Sequence, residues 1–110
     1  MRKVEVYRNG VFAGTLKEES RQRFVFTYDD SYLLNSKLPD ISLTLPKSQK
    51  EFYSEFLFPF FFNMLSEGVN RELQCNLLRI DEDDYFGLLM ATAQYDTIGA
   101  ITVKPTSVDI

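Results

Sequence analysis

Polar and apolar positions alternate from the start of the chain. Over residues 3–8, Val4 and Val6 share one face; Asn9-Gly10 interrupts, and residues 11–16 resume the apolar pattern. An Asn-Gly pair between two such runs predicts a β-hairpin, because both turn positions need φ > 0. Gly14, inside the second run, predicts a bulge or a close backbone approach. Residues 23–28 alternate again, with Phe24, Phe26 and Tyr28 against Val25 and Thr27, and predict a third strand. Asp29-Asp30-Ser31 is a helix-start cluster, and Tyr32-Leu33-Leu34 predicts one short helical turn before Pro39. Ile41-Ser42-Leu43-Thr44-Leu45 alternates cleanly and predicts a fourth strand, ended by Pro46; residues 47–51 read as a polar loop.

The middle of the chain predicts helices. Ser54 is a candidate N-cap and Pro59 suits only a first turn, so a helix starts between residues 54 and 58 and stops at Gly68. Asn70 can cap a second helix to about Arg79. Asp81-Glu82-Asp83-Asp84 stands before a third, over residues 85–93, where negative charge complements the helix dipole. Residues 98–103 read as the last strand and Pro105 ends the order. The fold class is therefore α+β: a mainly antiparallel sheet with about three helices packed on one face, in one domain over residues 1–105 with a short tail at 106–110.

Composition narrows the function classes. The hydrophobic fraction of 45% and charged fraction of 25% are those of a globular domain. Ten Phe with no Trp demand a core, a partner surface or both, since Phe has no polar handle. A net charge of −4 with scattered Lys and Arg argues against direct nucleic-acid binding. The longest apolar run, residues 56–62 with Pro59 inside it, is far short of the roughly 20 residues a membrane span needs. No signal-peptide pattern follows Met1-Arg2-Lys3, and the lone Cys75 cannot form an internal disulfide, so a cytoplasmic location is expected.

Candidate chemistry is sparse. With no histidine, the commonest general base and metal ligand is missing, and Cys75 has no dyad partner; its helical context predicts a small buried hydrophobe. One Cys/His ligand cannot make a structural zinc site. An EF-hand starting at Asp81 would need Gly and Glu where Phe86 and Thr92 stand. Asp84-Tyr85-Phe86-Gly87 looks like a kinase magnesium motif with one residue too many, and no glycine-rich nucleotide loop or catalytic loop accompanies it. Sixteen acids leave a carboxylate pair arithmetically open, but nothing singles out two. No catalytic residue, cofactor or metal is therefore expected. Phe56-Leu57-Phe58-Pro59-Phe60-Phe61-Phe62-Asn63-Met64-Leu65 is apolar nearly all round, so it is either covered by the later helices or left as a partner surface.

These segments resemble a known family. Val6-Tyr7-Arg8-Asn9-Gly10, Ala13-Gly14-Thr15-Leu16, Phe26-Thr27-Tyr28-Asp29 and Tyr32-Leu33 look like the start of the HipA N-terminal domain. Ile41-Ser42-Leu43-Thr44-Leu45-Pro46 is similar to its "Pro-x-Ser-Leu-Ser-Leu-Pro" stretch, Leu57 through Gly68 to its "Phe-Phe-x-Asn-Leu-Leu-Pro-Glu-Gly" signature, and Asp96-Thr97-Ile98-Gly99-Ala100-Ile101 to its closing motif. The family's proline in that signature is Ser66 here, which frees an N–H and adds a hydroxyl.

The resemblance implies the first subdomain of a serine/threonine kinase toxin, without the catalytic core that follows it in long members. A free-standing form resembles the HipS-type antitoxins of three-gene HipBST systems. There the small protein supplies in trans the subdomain that a truncated kinase, HipT, lacks, and HipB is the DNA-binding partner. The implied function is binding and inhibition of a HipT-like kinase, within a ternary complex where a HipB-like protein joins, and with no membrane, metal or nucleic acid of its own. A non-inhibitory assembly or activating subunit, and a remnant of a full-length kinase, are the alternatives. The candidate partner-binding residues are Phe58, Phe62, Ser66, Glu67, Gly68, Val69, Asn70 and Arg71.

Overall fold

The structure, a computed structural model, describes residues 2–65, 73, 75–81, 83–92 and 100–105. Arg2–Arg8 (β1), Val11–Ser20 (β2) and Arg23–Tyr28 (β3) form an antiparallel meander. The turn between β1 and β2 is as predicted: Asn9 and Gly10 have φ of 49° and 81°, the pair of positive values a two-residue hairpin turn needs. The register slips opposite Val6/Tyr7, so that Ala13 is the extra residue of a bulge. Beside it Gly14 runs so close to β3 that an added Cβ would collide with the Thr27 carbonyl oxygen.

Asp29 caps the short α1 (Asp30–Leu34), its carboxylate accepting the Ser31 N–H at 3.1 Å. The predicted fourth strand is not one. Among the described residues, Ser42 and Leu45 make only an isolated bridge, around a tight turn. The buried Tyr28 hydroxyl explains this: it accepts the Ile41 N–H at 3.0 Å and donates to the Leu45 carbonyl. Backbone groups that a neighbouring strand would have paired are paired by a side chain instead. The fourth strand is Glu51–Ser54 (β4), within what reads as loop and helix start, paired to β3 with Phe26 opposite Phe52.

The aromatic segment is helical for one turn only, Pro59–Phe62 (α2), with Phe58 as N-cap and Pro59 at the first position. Ser54 does accept a local hydrogen bond, from the Phe56 N–H at 3.1 Å, but the chain bends at residues 55–56 and enters no helix there. A further helix, α3, is described at residues 73 and 75–78. It closes where Arg79 turns left-handed (φ 57°) and the Ile80 N–H reaches the Cys75 carbonyl at 3.0 Å, the Schellman pattern. Next come α4 (Tyr85–Thr92) and β5 (Ile101–Pro105). The predicted stop at Gly68, cap at Asn70, strand start at 98–99 and tail lie outside the described residues.

Among the described residues the sheet has five strands in the order β4-β3-β2-β1-β5, all antiparallel. The core lies on one face. Val4, Val6, Leu16, Phe26 and Val103 project into it and are wholly buried. The helices cover that face: Tyr32 of α1 stacks on Tyr28, Phe61 of α2 packs on Phe26, and Phe86 of α4 packs on Phe24. Burying each such side chain contributes about 1.5–3 kcal/mol, which is how helices this short are held in place. The other face carries Lys3, Glu5, Thr15, Lys17, Thr27 and Lys104, as the period of two requires.

Candidate functional site

The core face ends in an open groove of about 1320 Å³, bounded by the start of β1, the end of β2, the residues after β4, α2, α3 and residues 80, 81 and 83–86. Its wall is organised by Arg2. The Arg2 guanidinium donates to Glu18 Oε1 at 2.8 Å and to both oxygens of Asp84 at 2.7 and 3.0 Å. Glu18 lies directly opposite Arg2 in the β1–β2 register, so two strands place the pair. Asp84 is brought by α4. Its carboxylate accepts the Gly87 N–H at 3.0 Å, as an N-cap does, and Gly87 leaves no room there for a Cβ. The bond from Arg2 holds the Asp84 carboxyl below its ordinary value, with the Gly87 N–H helping and burial opposing. The same bond raises the Arg2 pKa.

Aromatic rings floor the groove. Phe86 lies 5.4 Å from the Arg2 guanidinium carbon and 6.2 Å from Phe24, and Phe62 meets Tyr85 edge-on at 5.0 Å. Phe56 forms a lip and is 75% exposed, whereas Leu57, Phe58, Phe61, Met64 and Leu65 are buried. The aromatic segment therefore divides: most of it is covered by this chain's own fold, and Phe56 is left in water. Leu73 and Leu77, one helical turn apart on α3, are exposed as well.

Of the sequence-predicted partner residues, Phe58 is buried and packs edge-on against Phe61 at 6.3 Å. Phe62 is half-buried and lines the groove. Ser66, Glu67, Gly68, Val69, Asn70 and Arg71 lie outside the described residues. Sequence reasoning held Phe56 only as part of the aromatic run, without singling it out, and passed over Glu55 and Arg2. The only signal for them was apolar excess and scattered charge, which do not say which residue is left outside.

A second exposed apolar point sits on the turn held by Tyr28. Leu43 is 97% exposed at its tip, and the Ser42 hydroxyl accepts the Thr44 N–H at 3.2 Å. Lys47 Nζ donates to the Asn35 and Leu38 carbonyls, both at 2.7 Å, and pins the same loop. Cys75 is buried, as predicted. Among the described residues no group of three or more Cys, Asp and Glu could hold a metal ion. No helix among them is long and apolar enough to cross a membrane.

Comparison with known proteins gives this geometry its context. The family described as HipA N-terminal domain matches residues 4–104. An uncharacterized protein of Haemophilus influenzae is 33% identical over 104 residues, which span 94% of this chain and 92% of that protein. A solved structure of the N-terminal domain of HipA toxin superposes with a TM-score of 0.73 at 28% identity, over 98% of this chain and 95% of that one. The matched span takes in the Asn-Gly turn, the aromatic segment and all but the outer ends of the meander and of the closing strand, and the chain belongs to the HipA N-terminal domain family.

Proposed function

We propose that this protein is an antitoxin that binds and inhibits a separately encoded HipA-like serine/threonine kinase of the HipT type. It would occupy the place the N-terminal subdomain holds in a fused kinase. One observation carries the reading: the shared segment makes up 92% of the Haemophilus influenzae relative, so this fold occurs in a protein with almost nothing beside it. A kinase subdomain found by itself is suited to serve as one half of a complex. The exposed Phe56, Leu73 and Leu77 supply apolar surface of the kind such a complex buries. Phe62 and the segment Ser66, Glu67, Gly68, Val69, Asn70 and Arg71 would contact the kinase, with Phe58 packed beneath as support. The chain would perform no catalysis itself and would work in the cytoplasm, with a HipB-like DNA-binding protein joining the complex.

Co-expression tests this directly. A HipT-like kinase that lacks this subdomain is expressed with and without the chain. Restored growth, together with loss of kinase autophosphorylation in the purified mixture, is the expected result. Increased toxicity would make the chain an activating subunit instead. Absence of any binding would remove the reading altogether.

A further inference from the structure

The groove has a chemistry of its own that the family membership does not assign. Five carboxylates and two guanidinium groups line it. Arg2 is taken up by Glu18 and Asp84. That leaves Glu55, Asp81 and Asp83, all exposed, facing the groove with Arg21 as the remaining cation. Among the described residues these three acids make no ion pair. Beside them stands Phe56, 75% exposed.

Each half of this surface restricts the occupant. A purely apolar one would strip water from three carboxylates and give nothing back. A purely hydrophilic one would leave Phe56 in water. Lysine and arginine satisfy both demands: their alkyl stems cover apolar surface while the charged head meets the acids, and a guanidinium stacks on a Phe ring. At about 1320 Å³, and open, the groove also exceeds the roughly 300–1,000 Å³ of small-molecule sites, which suits a length of polypeptide. The sheet's opposite face carries Lys3, Lys17 and Lys104 against Glu5 and Glu51, whereas the groove's three unpaired acids face only Arg21, so the groove is the more acidic side for a basic segment.

We propose that the groove docks a basic, aliphatic-studded segment of the partner kinase, with Glu55, Asp81 and Asp83 meeting its Lys or Arg side chains and Phe56 covered by their stems. This rests on the kinase-binding reading above and adds which surface is used and what it recognises.

The test is calorimetric titration of the full chain into the kinase that lacks this subdomain. The triple charge reversal Glu55→Lys, Asp81→Lys, Asp83→Lys should weaken binding about 100-fold or more while the chain stays folded, with a melting temperature lowered by the lost helix-dipole charge, and Phe56→Ser should weaken it about 10-fold with unchanged melting temperature. Lys17→Glu with Lys104→Glu, on the far face, should change affinity less than about threefold, and wild-type affinity should fall as salt rises. Hydrogen exchange of the wild-type complex gives a readout that needs no variant: amides of residues 55–57 and 75–80 should be protected. Wild-type binding with an unaffected triple variant, or protection confined to the opposite sheet face, overturns the groove proposal and leaves the kinase-binding reading standing. Failure of the wild-type chain to bind the kinase overturns both.

Discussion

Replacing Tyr28 by phenylalanine removes one oxygen atom and keeps the ring that stacks on Tyr32 and meets Phe26 edge-on. That oxygen has two partners, the Ile41 N–H and the Leu45 carbonyl, and all three residues are buried. Burial pushes the phenol pKa up to about 12, so the group stays protonated and able to donate at any physiological pH. In Tyr28→Phe both backbone groups lose their partner where water has little access. An orphaned buried polar group costs about 1–3 kcal/mol, and two, less the relief from no longer burying the hydroxyl, give a loss of about 2–4 kcal/mol. With an unfolding entropy near 2.1 cal/mol/K per residue, the melting temperature of this 110-residue chain should drop by roughly 9–17 °C. Urea denaturation followed by circular dichroism measures the free energy, and hydrogen exchange at Ile41 shows whether the damage is local. Tyr32→Phe is the control: it loses a single bond, to the Pro39 carbonyl at 2.6 Å, and should cost about 1 kcal/mol. A Tyr28→Phe loss below about 0.5 kcal/mol, the size of an ordinary surface substitution, would refute the claim that this hydroxyl takes the place of a neighbouring strand.

Gly14→Ala should destabilise the fold by about 2 kcal/mol or more, read in the same urea titration, because its Cβ meets backbone that cannot step aside. Gly10→Ala should cost about 1 kcal/mol, since φ of 81° is strained for any residue with a Cβ. Asp84→Asn should lower stability at neutral pH by about 1 kcal/mol or less, the pair with Arg2 being part-exposed at 34% of the Asp84 side chain. The sign of its pH dependence follows from the depressed folded-state pKa of Asp84. The carboxylate's contribution is complete above its unfolded value near 3.9 and is lost as pH falls through the folded value, so wild type and variant should converge in acid.

The sequence by itself determined the elements whose signals are local. Asn9-Gly10 needs no distant partner to specify its turn, Asp29 caps the helix that follows it, and Pro59 starts a helix wherever the chain lies. It also determined the family, because the motifs that carry the resemblance are read in order along the chain. The tertiary structure decided which local options were taken. Ile41-Ser42-Leu43-Thr44-Leu45 has the alternation of a strand, but strand or turn depends on who pairs its backbone, and Tyr28, thirteen residues from Ile41, does so. Likewise β4 exists because β3 offers it an edge. In an aromatic run apolar on every side, periodicity carries no direction, so only packing could bury Phe58 and Phe61 and leave Phe56 in water. The same holds for the groove: Arg2, Glu18 and Asp84 are separated by up to 82 residues, and no spacing rule joins a strand's first residue to a helix's cap. Local chemistry sets what each segment is able to form, and long-range contact selects among those forms.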